Sequence, residues 1–306
     1  MFENLNEVVG AARARGAVNI AVAAGHDPDV IAALKEAEAI QLARATLVGN
    51  ADKIRDMCTE AGYAVSDSQI IDERDEAAAA RKAISLVREG KADLLMKGKI
   101  GTATLIRAVL DKEVGLRGKR LLSQVVVFQT PGMNRLMLLT DAAINIAPNL
   151  DQKADLCRNA IAVAHAIGIE KPNLAALCAL EFANSDMPAT IDAAALAAMN
   201  RRGQITGAYI EGPIALDAPL SRFAAERKGI DSPVVENTDI FVCPSIEAAN
   251  ILYRAVTYFA KGESGGLVVG ARVPLILLSR AESPATKIRS IAIGILVAAA
   301  ERDATQ

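Results

Sequence analysis

The chain has 306 residues, more than one average domain, and 52% of them are hydrophobic, enough for a sizeable core. Aromatic residues make up only 3% and Trp is absent, so that core is aliphatic and alanine-rich. Lys plus Arg total 34 against 36 acidic residues, and nothing in the resulting net charge of −2 suggests a polybasic surface for nucleic acid or membrane.

The start, Met1-Phe2-Glu3-Asn4, carries an acid and no charged-then-apolar leader pattern, so a cytoplasmic protein is expected. The most apolar late stretch, 291–300, is about half of the ~20 residues a membrane span needs, and it reads as a buried helix. Cys58, Cys157, Cys178 and Cys243 form no CxxC, and with two His in the whole chain no zinc pattern emerges. They read as reduced structural thiols, as suits the cytosol.

In chain order, an apolar strand at 18–23 ends at Ala24-Gly25 and leads into a helix from Asp27 to about Arg44. A strand at 45–48 is stopped by Gly49-Asn50, and a helix, a strand at 69–71 and an Ala-rich helix lead to a strand at 93–96. Short strands separated by helices imply crossover connections and a mostly parallel sheet. The rhythm then changes: apolar runs at 121–129 and 135–139 flank Thr130-Pro131-Gly132-Met133-Asn134, a turn sequence that predicts an antiparallel hairpin. A second βα series follows, with helices at 151–168, 188–201 and 245–260 and strands at 174–180, 207–210 and 239–242. Strands at 267–270 and 274–278 and a helix at 283–300 end the chain. The expected fold class is α/β: two α/β domains with mostly parallel sheets around a central cleft. The first domain spans 1–140 plus about 280–306 and the second 141–279.

Four segments could carry chemistry. Lys97-Gly98-Lys99-Ile100-Gly101-Thr102 lies between a strand and a helix, where free N–H groups, a positive helix end and two lysines suit an anion. It matches neither nucleotide fingerprint, and a tight turn with Thr102 as N-cap is the other reading. Glu211-Gly212-Pro213 to Asp217 stands at a strand's carboxyl end, the ligand-binding edge of open parallel sheets, although Gly and Pro there suit any sharp turn. Gly262 to Gly270 is either a phosphate cradle or a loop. Ser279-Arg280-Ala281-Glu282-Ser283 joins the last strand to the last helix: Arg280 offers a planar fork for phosphate or carboxylate, and Ser283 can cap. No His stands near Ser279, which argues against a triad. His26 precedes Asp27-Pro28, a natural N-cap and first helical residue, and is a candidate to line the site; His165, inside a helix, reads as structural.

Together these segments resemble the phosphate acetyl/butyryltransferase family, and its butyryl branch most closely. The resemblance rests on Ala23-Ala24-Gly25-His26-Asp27, Met96-Lys97-Gly98 with Arg107, and Leu139-Thr140-Asp141-Ala142-Ala143-Ile144-Asn145. It continues through Glu211-Gly212-Pro213, Pro244-Ser245-Ile246-Glu247-Ala248-Ala249-Asn250, Ser264-Gly265-Gly266 and Ser279-Arg280-Ala281-Glu282. It implies an isocitrate/isopropylmalate-dehydrogenase-like fold, usually a homodimer, and the reaction acyl-CoA plus phosphate to acyl phosphate plus CoA. Coenzyme A is then a co-substrate, with no tightly bound cofactor and no metal.

On that pattern Ser279 and Arg280 match the active-site serine–arginine pair, and Arg107 matches a second arginine that contacts substrate. Lys97, Gly98, His26, Asp141, Gly212, Pro213 and Asn250 are the remaining substrate-binding candidates. Acetyl-specific members carry an aspartate seven positions after the serine as base for the coenzyme thiol; here Thr286 stands there, and Glu282 is the first candidate instead. The preferred acyl group on this resemblance is butyryl, with acetyl and propionyl open. Two other readings are an NAD-dependent decarboxylating dehydrogenase of related fold, marked by metal-binding aspartates, and a catalytically silent coenzyme A-binding protein.

Overall fold

The computed structural model describes residues 2–277 and 282–304. After α1 (Leu5–Ala14) the first series runs β1 (Val18–Ala23), α2 (Pro28–Ala39), β2 (Ala43–Gly49), α3 (Ala51–Ala61), β3 (Ile70–Asp72), α4 (Glu76–Arg88), β4 (Leu94–Lys97) and α5 (Thr102–Val109). The predicted hairpin follows as β5 (Ser123–Gln129) and β6 (Met137–Thr140), antiparallel to one another. Next come α6 (Leu150–Ala166), β7 (Asn173–Leu177), α7 (Pro188–Arg201), β8 (Tyr209–Ile214), the short α8 (Asp217–Leu220) and α9 (Arg222–Arg227), β9 (Ile240–Val242) and α10 (Ile246–Arg254). β10 (Glu263–Val269), β11 (Leu275–Ile276) and α11 (Pro284–Asp303) complete the order.

The chain divides into two compact units, one of residues 6–119 and 265–306, the other of residues 1–5 and 120–264. These borders differ from the 140 and 280 read from sequence. Strand pairing explains the difference. β6 runs parallel to β9, with Leu138 opposite Ile240, which binds the hairpin to the second series. β11 pairs with β4 and with β10, which carries the chain from 265 onward into the first series.

In the first unit the strand order is β3-β2-β1-β4-β11-β10, parallel except for the β10–β11 pair. Ile20, Val22, Leu94, Leu95 and Met96 have no exposure, as befits parallel strands whose side chains are buried on both faces. α2 begins where expected: the Asp27 carboxylate accepts from the N–H groups of Asp29 and Val30, with Pro28 in the first turn. It ends at Ala39, however, and not near Arg44. Gln41 takes a positive φ of 58° and the Leu42 N–H closes on Ala37 O at 2.8 Å, so Ala43 and Arg44 already belong to β2.

α11 is capped by Ser283, whose hydroxyl accepts from Thr286 N at 3.1 Å, and it is buried from Lys287 to Ala299 with few breaks. That burial accounts for its unbroken apolar stretch. A Cβ on Gly294 would lie 2.9 Å from Ile276 Cδ1, so glycine sets the distance between this helix and β11.

The second unit orders its strands β5-β6-β9-β7-β8, parallel from β6 onward. Val126, Leu139, Ala175, Phe241 and Tyr253 form part of its core. The stretch read as one helix over 245–260 leaves α-geometry at Arg254 and makes a π turn, Ala255–Phe259. The glycine-rich 262–270 is mostly strand, β10, and not a loop. A Cβ on Gly262 would meet Gln129 O at 3.0 Å and one on Gly265 the Arg289 backbone at 2.9 Å, so these glycines serve close packing. The four cysteines are free, three of them buried. Among the described residues no helix is long and apolar enough to cross a membrane.

Candidate active site

The candidate residues of the first unit gather at the carboxyl ends of its parallel strands, the ligand-binding edge of open α/β sheets. Register aligns Val48 with Ala23 and Ala23 with Lys97, while Ile276 lies opposite Met96. The chain thus leaves β2 at Gly49, β1 at Ala24 and β4 at Lys97, side by side. After β11 it enters 278–281, which carries Ser279 and Arg280 and lies outside the described residues. Glu282, half-buried, stands two positions before Pro284 at the start of α11. Thr286 has its hydroxyl 3.0 Å from the Ser283 hydroxyl within the helix cap, so it completes a turn and offers no basic group.

The exits of β1 and β4 are laced together. Gly98 N donates to Ala23 O at 2.9 Å and Lys99 N to Ala24 O at 2.8 Å, with Ala24 at a positive φ of 56°. A Cβ on Gly98 would fall 2.2 Å from Ala24 O, so only glycine permits this approach. Lys97 is half-buried, and its Nζ donates to Gly98 O at 3.2 Å. Gly101, not Thr102, occupies the N-cap position of α5, without a side-chain cap. Arg107, in the last turn of α5, is exposed and has no partner among the described residues.

His26 is half-buried at the exit of β1. Its Nδ1 is buried and has no hydrogen-bond partner among the described residues. Burial, then the charges of Lys53 and Lys99, push the imidazole below its usual range, with Glu76 and Asp27 opposing. His165, by contrast, contacts Gly207 O through Nε2 at 2.9 Å, as a structural residue would.

In the second unit Asp141 follows β6 and is 2% exposed. Its Oδ1 accepts from the N–H groups of Gln124, Ala143 and Ile144 at 3.2, 3.0 and 3.1 Å. Oδ2 accepts from Asn145 N at 3.0 Å and Asn145 Nδ2 at 2.6 Å. Burial raises this carboxyl above its usual range, and the donors offset part of that. Asn250 joins the same loop by donating from Nδ2 to Ala142 O at 3.0 Å, and Ile246 N donates to Ile146 O at 3.0 Å. Asn145, which also donates to Leu122 O, is a member of this node that the sequence reading named only within a motif. The i, i+4 spacing from Asp141 was its signal.

Gly212 and Pro213 are not grouped with Asp141. They lie inside β8, an edge strand separated from β6 by β9 and β7, and not beyond a strand ending at 210. Proline is tolerated there because an edge strand leaves one side unpaired. A Cβ on Gly212 would meet Ala176 Cβ at 2.8 Å. Beyond β8, Lys228 pairs with both Asp217 and Glu181, tying the exits of β7 and β8 together. Among the described residues no group of three His, Cys, Asp or Glu side chains is placed to hold a metal ion.

Residues 76–295 match the family model described as Phosphate acetyl/butaryl transferase. The chain is 44% identical over 298 residues to the phosphate butyryltransferase of Clostridium acetobutylicum, covering 97% of this chain and 99% of that one. It is 41% identical to a phosphate acetyltransferase of Rhizobium meliloti, over 98% of this chain and 95% of that one. A solved branched-chain phosphotransacylase from Enterococcus faecalis superposes with a TM-score of 0.80 at 30% identity, covering 92% of this chain and 99% of that one. The chain belongs to the phosphate acetyl/butyryl transferase family.

Proposed function

We propose that this protein is a phosphotransacylase that moves a short acyl group reversibly between coenzyme A and inorganic phosphate, with butyryl preferred. The observation that carries the reading is near-full-length similarity to phosphate butyryltransferase, joined to the placement of Lys97-Gly98 beside β11, whose continuation is Ser279-Arg280. A phosphate oxygen attacks the thioester carbonyl carbon, the carbon–sulfur bond breaks, and the coenzyme leaves as thiolate and takes a proton. In reverse, the thiol must lose that proton first. A free thiol with a pKa near 8.5 is only a few per cent thiolate at pH 7, so a base accelerates this direction.

Arg280, with Arg107 or Lys97, holds the phosphate as a charge-assisted fork, and Ser279 hydrogen-bonds the reacting centre, where negative charge develops on the carbonyl oxygen. Glu282 is the proposed base, and the engagement of Thr286 in the helix cap supports looking there. Direct transfer within a ternary complex suffices. Asp141 serves this chemistry by holding its loop, since five protein donors already occupy its carboxylate. An isocitrate/isopropylmalate-dehydrogenase-like arrangement, a homodimer in the cytoplasm and freely exchanging coenzyme A complete the proposal.

Acyl preference is tested by comparing acetyl-, propionyl-, butyryl- and isobutyryl-CoA at saturating phosphate. One or two methylenes are worth about 1–3 kcal/mol in an apolar pocket, so butyryl-CoA should exceed acetyl-CoA in kcat/KM by roughly tenfold or more. An acetyl-CoA value equal to or above that for butyryl-CoA would remove the butyryl assignment.

A further inference from the structure

Of the eleven large apolar side chains that are exposed among the described residues, four gather around α10. Ile251 is 69% exposed, Tyr258 60% and Phe259 87%, and Ile146, at 69%, accepts through its carbonyl from Ile246 N at the helix start. Apolar side chains scattered singly over a surface need no explanation, whereas a contiguous patch marks a docking surface. The spacing makes this one a stripe. Glu247, Ile251, Arg254 and Tyr258 follow one another at four, three and four residues, positions that share one side of a helix. The π turn at Ala255–Phe259 winds more slowly than an α turn, so Tyr258 and Phe259 end on either side of that line.

Charge follows the same line, with Glu247 one turn before Ile251 and Arg254 one turn after it. Neither has an ion-pair partner among the described residues. Glu247 takes a hydrogen bond from the Ser245 side chain, and the Arg254 guanidinium lies 4.9 Å from the centroid of the Tyr253 ring. A stripe that reads acid, apolar, base is complementary to its own reverse. We infer that this face is the contact between two copies of the chain, with α10 antiparallel to α10 of the second copy about a twofold axis at Ile251. This gives a surface to the homodimer of the proposed function and rests on that reading. A twofold contact lays the patch on itself reversed. Ile251 then meets Ile251 of the second copy, Glu247 meets Arg254 in both directions, and Ile146 and Ile246 come over Tyr258 and Phe259. The parallel arrangement would set like charges together, so electrostatics selects the antiparallel one. The contact also reaches the site. Ile146 belongs to the loop that Asp141 holds, and Asn250, on the same helix, donates to Ala142 O. Pairing braces that loop from outside, and acyl transfer should depend on it.

Sedimentation equilibrium at micromolar concentration, run beside circular dichroism and the thiol-release assay, makes the test. The wild-type protein should sediment as a dimer. Ile251→Asp should weaken that dimer about a hundredfold or more and leave the helical signal unchanged, since the side chain is exposed within its own chain. Glu247→Arg should also weaken it, by setting arginines against each other. Adding Arg254→Glu to Glu247→Arg should restore the dimer, which a local loss of helix stability would not do. The monomeric variants should lose most of their acyl transfer, and wild-type specific activity should fall on dilution through the same dissociation constant. A dimer unchanged by Ile251→Asp, or a charge-reversed double variant that stays monomeric, would overturn this contact and leave the homodimer to another face. A monomeric wild-type protein would remove both. Wild-type dimers without acyl transfer would instead remove the proposed reaction and leave the pairing intact.

Discussion

Replacing Asp141 by Asn separates the two roles a carboxylate at this position can have. All five hydrogen bonds that reach it come from donors, two of them from Asn145 onto Oδ2. An asparagine can keep its carbonyl toward Gln124, Ala143 and Ile144, but then its NH2 group faces the two donors of Asn145. Each hydrogen bond to a charged group contributes about 1.5–3 kcal/mol, so losing two costs roughly 3 kcal/mol or more. For units of this size each kcal/mol moves Tm by about 2–4 °C, which gives a fall of roughly 6–12 °C. Because Ala142 O and Ile146 O anchor Asn250 and the start of α10, acyl transfer should fall along with stability. Circular dichroism melting and a thiol-release assay on the same preparation make the test. An Asp141→Asn protein with unchanged Tm and a large rise in KM would refute the positioning role and make Asp141 a substrate ligand.

Gly98→Ala should cost about 1–3 kcal/mol or more and abolish most activity, since the new Cβ would meet Ala24 O at 2.2 Å, whereas Gly101→Ala meets nothing closer than 3.5 Å and should fold normally; equal urea midpoints would contradict this. The His26 imidazole is depressed in the folded state, so its contribution is present above the unfolded value of about 6.5 and is lost as pH falls through the lower folded value. Wild-type stability should therefore drop between pH 7.5 and 5.5 by more than that of His26→Asn, and parallel drops in urea titrations would count against it. Arg280→Ala should lose about 1.5–3 kcal/mol of transition-state stabilisation, about ten- to over a hundredfold in rate, and near wild-type turnover of the folded variant would exclude it from the chemistry. Ser279→Ala should lower kcat while calorimetry still finds coenzyme A bound; an unchanged kcat would make the serine structural.

The alternation of strands and helices was legible because several buried strands, β1, β2 and β4 among them, are short apolar runs closed by glycine at 25, 49 and 98, and the Thr130-Pro131-Gly132 turn marked the hairpin. The end of α2 was not, because the alanines and leucine of 37–45 suit either state and only the turn at Gln41 separates them. Glycine number misled at 262–270, where most of the run is β10 and Gly262 and Gly265 stand close to neighbouring backbone. His26 and Lys97 could be placed at strand ends from sequence. The missing partner of His26 and the saturated carboxylate of Asp141 could not, since both depend on which backbone groups the fold brings to them.

The central claim is tested most directly by incubating the protein with butyryl-CoA, with and without inorganic phosphate, while following free thiol and the 31P signal of butyryl phosphate. Thiol release that requires phosphate and matches acyl phosphate one for one is the predicted result. Thiol release at the same rate without phosphate would identify a thioesterase and contradict the account.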